Sequence, residues 1–280
     1  MKEKIAATIV VYCPDYQRLS ENINAISSQV DKVILVVNAE SLDRDKLTIN
    51  DPHRVLMLSN GGNKGIAYAL NRGMHAGEKL GYDWVVTLDQ DSVCTPDLVS
   101  KLVRHIGEER VGIVTPVIDD RNCDDREMGD KPTDEVKLCI TSGALTSTKV
   151  WKEVGGFTNE LFIDYVDYDY CAKLFRHGYR VIRDNEAHLL HEVGHITIKT
   201  YGNKHRYMLY NHSPMRDYYI VRNRIYYYHA YPDFVDVAKE KRMLRERIIL
   251  ILLFEKRKIR KGIAILKGAI DSRKLRKKLG

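Results

Sequence analysis

The chain has 280 residues, of which 44% are hydrophobic and 30% are charged. This composition excludes a disordered chain, and no apolar run approaches the roughly 18 residues of a membrane-spanning helix. The length allows one large α/β domain or two modest ones.

The N-terminus and the cysteines predict a cytosolic compartment. The first four residues lead directly into an apolar run without a small-residue cleavage site, so a secretory signal is not expected. The cysteines are odd in number, widely spaced and never form a C-x-x-C pair, which favours reduced thiols over disulfides or a zinc site. They are Cys13, Cys94, Cys123, Cys139 and Cys171.

The formal net charge of +7 is concentrated near the C-terminus. Residues 239–280 contain 16 Lys/Arg and 4 Asp/Glu, a net charge of +12, whereas the other 238 residues carry −5. A basic tail on an acidic body indicates a local anionic partner, for which phospholipid headgroups and nucleic acid are both candidates.

Strands and helices alternate along the first 118 residues. Buried apolar runs predict strands at 5–12, 32–37, 54–58, 85–88 and 111–117. Apolar residues at helical spacing predict helices after Tyr16, after the glycine-rich loop 60–65 and after Thr95. This alternation is typical of βαβ units on a mostly parallel sheet, and the fold class is predicted to be α/β.

The rest of the chain is predicted to be less regular. Residues 121–135 are polar and rich in Asp, which favours a loop. Further elements are predicted as a strand at 136–145, a short helix at 150–157, a helix at 164–177, one or two strands at 181–191 and helices after residue 233.

An aspartate pair follows the predicted strand 85–88, in the order Leu88-Asp89-Gln90-Asp91. In open α/β sheets, ligands bind at the carboxyl ends of the strands. Two carboxylates one residue apart can share a divalent cation, and such a cation can hold a diphosphate. The alternative is a polar turn after a strand, since Asp and Ser favour turns.

A second acidic segment places Asp164, Asp167 and Asp169 among tyrosines. Three carboxylates in six residues are costly to bury without a role. If the segment is helical, Asp164 and Asp167 share a face. A carboxylate in an aromatic pocket has a raised pKa, which suits a general base. The alternative is an acidic helix N-terminus that complements the helix dipole.

Small residues and asparagines recur between Asn63 and Gly73. Such a helix start lets the backbone approach a ligand closely, and the amides of Asn63 and Asn71 can hydrogen-bond to that ligand. The alternative is a turn followed by an Ala-rich buried helix.

Several histidines lie near residue 190, namely His188, His191 and His195. One of them could complete the ligands of a cation held by the aspartates, since imidazole tolerates manganese. The alternative is a histidine at a strand edge.

In their order along the chain, these features resemble the inverting, family 2 nucleotide-sugar glycosyltransferases of the GT-A fold. The resemblance covers about residues 5–230. It rests on Thr8-Ile9-Val10-Val11-Tyr12, Asn38, the Asn63 to Gly73 pattern, Asp89-Gln90-Asp91, Gly155-Gly156-Phe157 and residues 166–171. Residues 88–92, 162–167 and 216–223 are similar to bacterial rhamnosyltransferases in particular.

The resemblance implies a domain organisation and a role for each matching residue. Residues 1–232 would be the GT-A catalytic domain, with a nucleotide-binding half at about 1–118 and an acceptor-binding half at about 119–232, and residues 233–280 a basic amphipathic helical tail. Asp89, Asp91 and His191 would hold Mg²⁺ or Mn²⁺, and Asp167 would deprotonate the acceptor hydroxyl. The nucleotide sugar would be bound by Val10, Tyr12, Asn38, Asn63, Gly65, Asn71, Gln90 and Arg222. The acceptor would lie near Gly143, Asp164 and Asp169.

The sequence departs from the family pattern in three places. Asn38 stands where an aspartate is common, and Val166-Asp167 replaces the usual Glu-Asp pair, which makes Asp164 a rival base. The Gln-x-x-Arg-Trp motif of processive synthases is absent from the sequence, which favours transfer of a single sugar.

The expected function is metal-dependent transfer of L-rhamnose from dTDP-rhamnose to a lipid-diphosphate-linked glycan or oligosaccharide acceptor, in bacterial surface polysaccharide synthesis. A UDP-sugar donor, carrying a hexose or galactofuranose, is left open. A different class of function is nucleic-acid binding by the basic tail, but the carboxylate clusters would repel phosphate, so no nucleic acid is expected as a partner.

Apolar and basic residues are mixed in the predicted tail helices, which is typical of a segment on a membrane surface. Each Lys or Arg near an anionic leaflet contributes about 1 kcal/mol to binding. The expected location is therefore cytoplasmic and peripheral, on the inner face of the bacterial plasma membrane. A helical hairpin packed on the body, or a homo-oligomer interface, is the alternative.

Overall fold

The computed structural model describes residues 3–120, 131–191, 197–201, 205–209 and 211–280. The chain divides into two compact units. Unit 1 comprises Met1–Phe162 and Val166–Glu192, and unit 2 comprises Ile163–Tyr165 and Val193–Gly280. The predicted domain boundary at residue 232 falls inside unit 2, between helices that share a core.

Unit 1 is built on one large sheet. Its described strands are β1 (Ile5–Val11), β2 (Lys32–Val37), β3 (Val55–Ser59), β4 (Trp84–Asp89), β5 (Val93–Cys94), β6 (Val111–Asp120), β7 (Thr133–Glu135), β8 (Ala144–Ser147) and β9 (Arg180–His191). Their order is β3-β2-β1-β4-β8-β6-β9-β5, with β7 paired to β9. β1 is parallel to β2 and β4, and β6 is parallel to β9, whereas β8 is antiparallel to β4 and β6.

The described helices of unit 1 connect these strands as α1 (Tyr16–Ser27), α2 (Ile66–Lys79), α3 (Leu98–Leu102), α4 (Thr148–Glu153) and α5 (Val166–Arg176). Side-chain caps fix two of their starts: Asp15 accepts a hydrogen bond from the Arg18 N–H, and Ser147 accepts one from the Val150 N–H. α2 packs closely on β1 at Gly73, where an added Cβ would lie 1.9 Å from Thr8 Oγ1.

The core lies between the sheet and its helices. All seven residues of β1 and five of the six in β2 are buried, which explains why these strands are almost uninterrupted apolar runs. Leu19, Ile23 and Ile26 of α1 are fully buried against them. The predicted α/β class, with a parallel sheet in its first half, is confirmed.

Three predicted elements of unit 1 were wrong in detail. The strand expected at 136–145 begins only at Ala144, because Gly143 has a left-handed φ of +79°. Residues 133–135, predicted as loop, form β7, and residues 121–130 lie outside the described residues. The helix expected from Asp164 begins at Val166, because Asp164 and Tyr165 have φ of +63° and +67°. Asp164 and Asp167 therefore do not share a helix face.

Unit 2 contains a hairpin and three helices among its described residues. The hairpin pairs β10 (Thr197–Tyr201) with β11 (His205–Leu209), and the helices are α6 (Pro214–Ala230), α7 (Val237–Phe254) and α8 (Lys258–Leu279). Val221 and Tyr228 of α6, Leu244 and Ile251 of α7, and Ile265 of α8 form its apolar core. Over the described part of the chain, no helix combines the length and apolarity needed to cross a bilayer.

Candidate active site

The aspartate pair lies at the end of β4, on a turn that is held from neighbouring elements. Asp89 ends the strand, next to Val10 of β1 in the parallel register. Its carbonyl accepts a hydrogen bond from Asn22 Nδ2 at 2.7 Å, and its N–H donates to Ser142 Oγ at 3.2 Å. These contacts hold the backbone of Asp89, at the start of the turn that carries both carboxylates.

Asp91 carries the most informative atom of this turn. Its Oδ1 is buried and has no hydrogen-bond partner among the residues that the structure describes. A buried carboxylate oxygen without a donor is costly, which favours a cation or a donor from outside these residues. Hard divalent cations prefer carboxylate oxygens. The geometry therefore fits Mg²⁺ or Mn²⁺ held by Asp89 and Asp91.

The register of β5 and β9 brings His191 to the same edge of the sheet. Val93 pairs with Leu190 in the antiparallel direction, so His191, the last residue of β9, is level with Ser92. The side chain of His191 lies outside what the structure describes, and so does His195. Within the described residues, no three His, Cys, Asp or Glu side chains converge as a complete metal site.

His188 is the histidine of this group whose side chain is described. Its Nδ1 lies 3.1 Å from Asp119 Oδ2, so the ring pairs with a carboxylate of β6. The strand-edge interpretation therefore applies to His188, whereas the predicted metal contact of His191 stays a prediction.

Gln90 ties the aspartate turn to the end of β1. Its Oε1 accepts a hydrogen bond from the Tyr12 N–H at 2.8 Å. The Tyr12 side chain is 50% exposed and Val10 is buried. The ring of Tyr12 is thus exposed near this edge of the sheet, whereas the side chain of Val10 is buried. Their predicted roles in a base pocket stay predictions.

The amide of Asn38 holds the glycine-rich loop against the end of β2. Asn38 Nδ2 donates to Asn63 Oδ1 and to the Gly65 carbonyl, both at 3.2 Å. Its Oδ1 accepts from Asn60 Nδ2 and the Lys64 N–H, both at 3.0 Å. The side chain is buried. Its described contacts shape the loop, and the expected contact with the donor stays a prediction.

A glycine is required at position 65 because the backbone of Phe162 lies very close to it. It has φ of +89°, and an added Cβ would lie 2.8 Å from the Cα and the carbonyl oxygen of Phe162. The N–H of Ile66 donates to the same carbonyl at 2.7 Å. Gly65 therefore joins the start of α2 to the segment before α5.

Asn71 fixes the turn that follows α4. Its Nδ2 donates to the Phe157 carbonyl at 2.7 Å, and its Oδ1 accepts from the Phe157 N–H at 2.9 Å and from Trp151 Nε1 at 3.0 Å. The same Oδ1 leaves no room for a Cβ on Gly156. The Gly155-Gly156-Phe157 motif and Asn71 thus pack together, and the expected contact of Asn71 with the donor stays a prediction.

Asp167 and Asp169 both lie in the first turn of α5 but differ in surroundings. Asp167 is half-buried, and its Oδ1 accepts from the Tyr168 N–H at 2.9 Å. Asp169 is fully buried; it accepts from Thr158 Oγ1 at 2.6 Å and lies 3.5 Å from Lys173 Nζ. Asp169 offers no surface to an acceptor in this structure, and its described contacts join α5 to the Thr158 turn.

Gly143 is positioned by its contacts with strands of the sheet. Its N–H donates to the Thr87 carbonyl at 2.7 Å, and an added Cβ would lie within 3 Å of Leu189 and Pro116 side chains. The residue before it, Ser142, donates to Ser92 Oγ at 2.8 Å and so supports the aspartate turn. The expected acceptor contact of Gly143 stays a prediction.

Asp164 and Arg222 belong to unit 2. Asp164 receives the Arg216 guanidinium, with Nη2 at 3.0 Å and Nε at 3.3 Å from its oxygens. Arg222 lies over the ring of Tyr219, 4.8 Å from its centroid, and donates to Asn223 Oδ1 at 2.8 Å. Their predicted roles at the acceptor and the diphosphate stay predictions.

Two supporting residues of the aspartate turn were missed in the sequence. Asn22 is a buried polar residue on the same face of α1 as Leu19 and Ile23, and a polar residue in an apolar stripe was a signal that could have found it. Ser142 follows no pattern in the sequence, and it reaches Ser92 only because β8 pairs with β4.

Comparison with known proteins finds a matching family model and a sequence relative. The sequence model described as "Glycosyl transferase family 2" matches residues 8–177, a range that includes Asp89, Asp91 and Asp167. The dTDP-rhamnosyl transferase RfbF of Shigella flexneri is 30% identical over 240 residues, which is 80% of this chain and 79% of that protein.

Solved structures show the same fold at low identity. S. aureus TarS 1-349 in complex with UDP-GlcNAc has a TM-score of 0.59 and 13% identity, covering 96% of this chain and 81% of that one. GalNAc-T7 with UDP, GalNAc and Mn²⁺ has a TM-score of 0.56 and 13% identity, covering 88% of this chain and 54% of that one. This chain thus spans about half the length of GalNAc-T7, and the likeness confirms the predicted GT-A fold alone.

Proposed function

This chain belongs to glycosyl transferase family 2, and from that premise we propose that it transfers one L-rhamnosyl group from dTDP-rhamnose to an acceptor hydroxyl. The choice of donor rests on the 30% identity to a dTDP-rhamnosyl transferase over 80% of the chain. The chemistry rests on one structural observation, the buried Oδ1 of Asp91 at the end of β4, which has no hydrogen-bond partner in the described ranges of the chain.

The cation site is assigned to Asp89 and Asp91, with His191 as a further ligand. Mg²⁺ or Mn²⁺ held there would neutralise the charge that develops on the departing nucleoside diphosphate. The chain contributes two carboxylates on a turn that Asn22 and Ser142 hold in place. Such preorganisation reduces the reorganisation that the site undergoes during the reaction.

The general base is assigned to Asp167. Its carboxylate takes the proton from the acceptor hydroxyl as that oxygen attacks the anomeric carbon, and a single displacement inverts the anomeric centre. Asp164 is the rival, but its carboxylate is already held by Arg216. Asp169 is buried and engaged by Thr158. Asp167 is half-buried in the first turn of α5, and its assignment as the base rests on its place in the family resemblance.

The acceptor is proposed to be a lipid-diphosphate-linked glycan or an oligosaccharide in bacterial surface polysaccharide synthesis. The enzyme would then work at the cytoplasmic face of the plasma membrane, where such an acceptor is held. This part of the proposal rests on the resemblance to rhamnosyltransferases and on the basic C-terminal helices.

The experiment is nucleotide release from a panel of nucleotide sugars by the full chain, with Mn²⁺, with Mg²⁺ and with EDTA. We expect slow hydrolysis of dTDP-rhamnose that needs the metal and is lost in Asp91→Ala. The matched control is Asp43→Ala, an exposed aspartate outside the site, which should release nucleotide at the wild-type rate.

Two results would contradict parts of the proposal separately. Preference for a UDP-hexose or UDP-galactofuranose would overturn the rhamnose assignment while keeping the metal site. Release that is unchanged by EDTA and by Asp91→Ala would overturn the metal assignment. Release from no donor, together with no nucleotide binding in calorimetry, would overturn the enzyme proposal as a whole.

A further inference from the structure

The two C-terminal helices expose a set of large apolar side chains around the turn that joins them. This set, the elbow face, has seven members, each between 43% and 81% exposed. They are Ile249, Leu252, Leu253, Ile259, Ile263, Leu266 and Ile270. The side chain of Leu252 comes within 4.0 Å of the Cβ position of Gly262, so the contributions of α7 and α8 adjoin. Adjoining exposed apolar side chains rimmed by polar residues commonly mark an interaction surface.

The elbow face is distinct from the apolar surface that α8 uses for folding. α8 buries Lys261, Ile265, Gly268, Ser272 and Leu275. At 3.6 residues per turn, its exposed apolar side chains lie about 170° around the helix from this buried set. The helix therefore has two apolar faces, and packing within unit 2 accounts for only one of them.

The buried face of α8 packs closely on α6, and this packing sets the position of the exposed face. An added Cβ on Gly268 would lie 2.6 Å from the Tyr218 carbonyl oxygen, which shows how closely α8 approaches α6. Lys261 is 3% exposed; its Nζ lies 3.0 Å from Asp217 Oδ2 and also contacts Glu255 at the end of α7. The apolar side chains of the elbow face therefore belong to a folded surface.

Exposed cations border the elbow face. Arg260, Lys267 and Lys274 follow one edge of the apolar stripe of α8, and Lys256 and Arg257 lie in the turn between the helices. Apolar side chains with Lys and Arg along their edge are the pattern of a helix that lies in a membrane interface. A face between two copies of this chain would bring these cations together, which disfavours self-association.

We propose that the elbow face binds the surface of an anionic phospholipid bilayer, with its isoleucines and leucines in the acyl boundary and its Lys and Arg side chains at the headgroups. This inference deepens the proposed function, because a lipid-linked acceptor lies in such a surface. Its test needs no catalytic turnover, so the two can fail separately.

The test is sedimentation of the full chain with vesicles of phosphatidylcholine alone or with 30% phosphatidylglycerol (about one lipid in three, enough for an anionic surface). We expect binding to the anionic vesicles that weakens with salt. The double variant Ile263→Ser/Leu266→Ser should lower the partition coefficient at least about tenfold. Arg260→Glu/Lys267→Glu should lower it by a similar or larger factor, since each cation near the surface is worth about fivefold.

Matched controls in unit 1 separate a specific face from general stickiness. Leu80→Ser removes an exposed leucine, and Lys79→Glu/Lys149→Glu reverses two exposed cations. Both should bind vesicles as the wild type does. Because the changed residues are exposed, each variant should keep the wild-type circular dichroism spectrum and Tm.

Three outcomes would overturn the proposal. The first is absence of vesicle binding by the wild type. The second is binding that the elbow-face variants leave unchanged. The third is a dimer in light scattering that Ile263→Ser/Leu266→Ser dissociates, with no vesicle binding, which would assign the face to a second copy of the chain. If the elbow-face variants lose vesicle binding but hydrolyse dTDP-rhamnose at the wild-type rate, the result supports the membrane role separately from the proposed activity.

Discussion

Two carboxylates with buried oxygen atoms differ in their surroundings. Asp217 in α6 is fully buried, and cations of the chain lie near both its oxygens: Arg247 Nη2 donates to Oδ1 at 3.1 Å, and Lys261 Nζ lies 3.0 Å from Oδ2, at ion-pair distance but outside hydrogen-bond geometry. Asp91 at the end of β4 is half-buried, and its buried Oδ1 has no hydrogen-bond partner within the described part of the chain. Cations of unit 2 therefore compensate Asp217, whereas the buried oxygen of Asp91 has no such partner among the described residues.

The difference separates a compensated carboxylate from an uncompensated one. A buried carboxylate is tolerated when a cation and good geometry compensate its lost hydration. Unit 2 supplies that cation from α7 and α8 and thereby fixes these helices to α6. At the aspartate turn, we propose that the cation comes with the nucleotide sugar, so that the incomplete site is what allows binding.

The largest expected effect is on Asp91. Asp91→Ala should lower metal-dependent transfer on the order of 10⁴-fold, because the metal contributes several kcal/mol of transition-state stabilisation. In EDTA, the free energy of unfolding should not fall, because the substitution removes an uncompensated buried acceptor. Urea denaturation with and without EDTA checks this. A loss of several kcal/mol in EDTA would mean that the chain itself compensates this carboxylate.

The next effect concerns Asp167, whose contribution should be to catalysis. Asp167→Asn should lower kcat about 10³-fold, since a positioned general base contributes about 10²–10⁴. The donor KM and Tm should stay near the wild-type values. The companion variant Asp169→Asn should do the reverse: it should cost about 1–3 kcal/mol of stability through its contact with Thr158 and keep more of kcat. If Asp169→Asn lost more kcat, the roles assigned to the two residues would be exchanged.

The buried ion cluster of unit 2 should respond to the loss of its central cation. Lys261→Met should lower the free energy of unfolding of unit 2 by about 3–5 kcal/mol, because Asp217 and Glu255 then lose a buried cation. The control Lys267→Met, at an exposed lysine of the same helix, should stay within about 0.5 kcal/mol of the wild type. Equal effects of the two changes would show that the cluster is no more than a surface network.

The smallest effect is a pH dependence next to the same cluster. Burial, and then the charges of Arg216, Arg247 and Lys261, lower the pKa of His212 from 6.5 to about 3. Between these values the unfolded chain binds a proton that the folded chain does not, so the free energy of unfolding falls as the pH falls from about 6.5 towards 3. His212→Gln should reduce the slope of unfolding free energy against pH by the contribution of at most one bound proton. The measurement is the free energy of unfolding of both proteins as a function of pH. Identical slopes for the wild type and the variant would contradict the burial of His212.

The sequence was sufficient for the α/β class, the parallel first half and the location of the aspartate pair. These features depend on local patterns: apolar runs buried on both faces, helical spacing, and carboxylates directly after a strand. The same patterns misplaced the start of α5, because the left-handed conformations of Asp164 and Tyr165 depend on contacts in unit 2, where Asn223 Nδ2 donates to the Asp164 carbonyl at 2.9 Å.

By itself, the sequence determined which residues carry charge and on which type of element they lie, because period and composition are local properties of the chain. Only the tertiary structure decided which carboxylates are compensated, since Asp217 meets its cations across 30 and 44 residues of sequence and Ser142 reaches Ser92 across 50. It also decided that α8 has a second apolar face, because burial of one face against α6 had to be known before the other could be recognised as exposed.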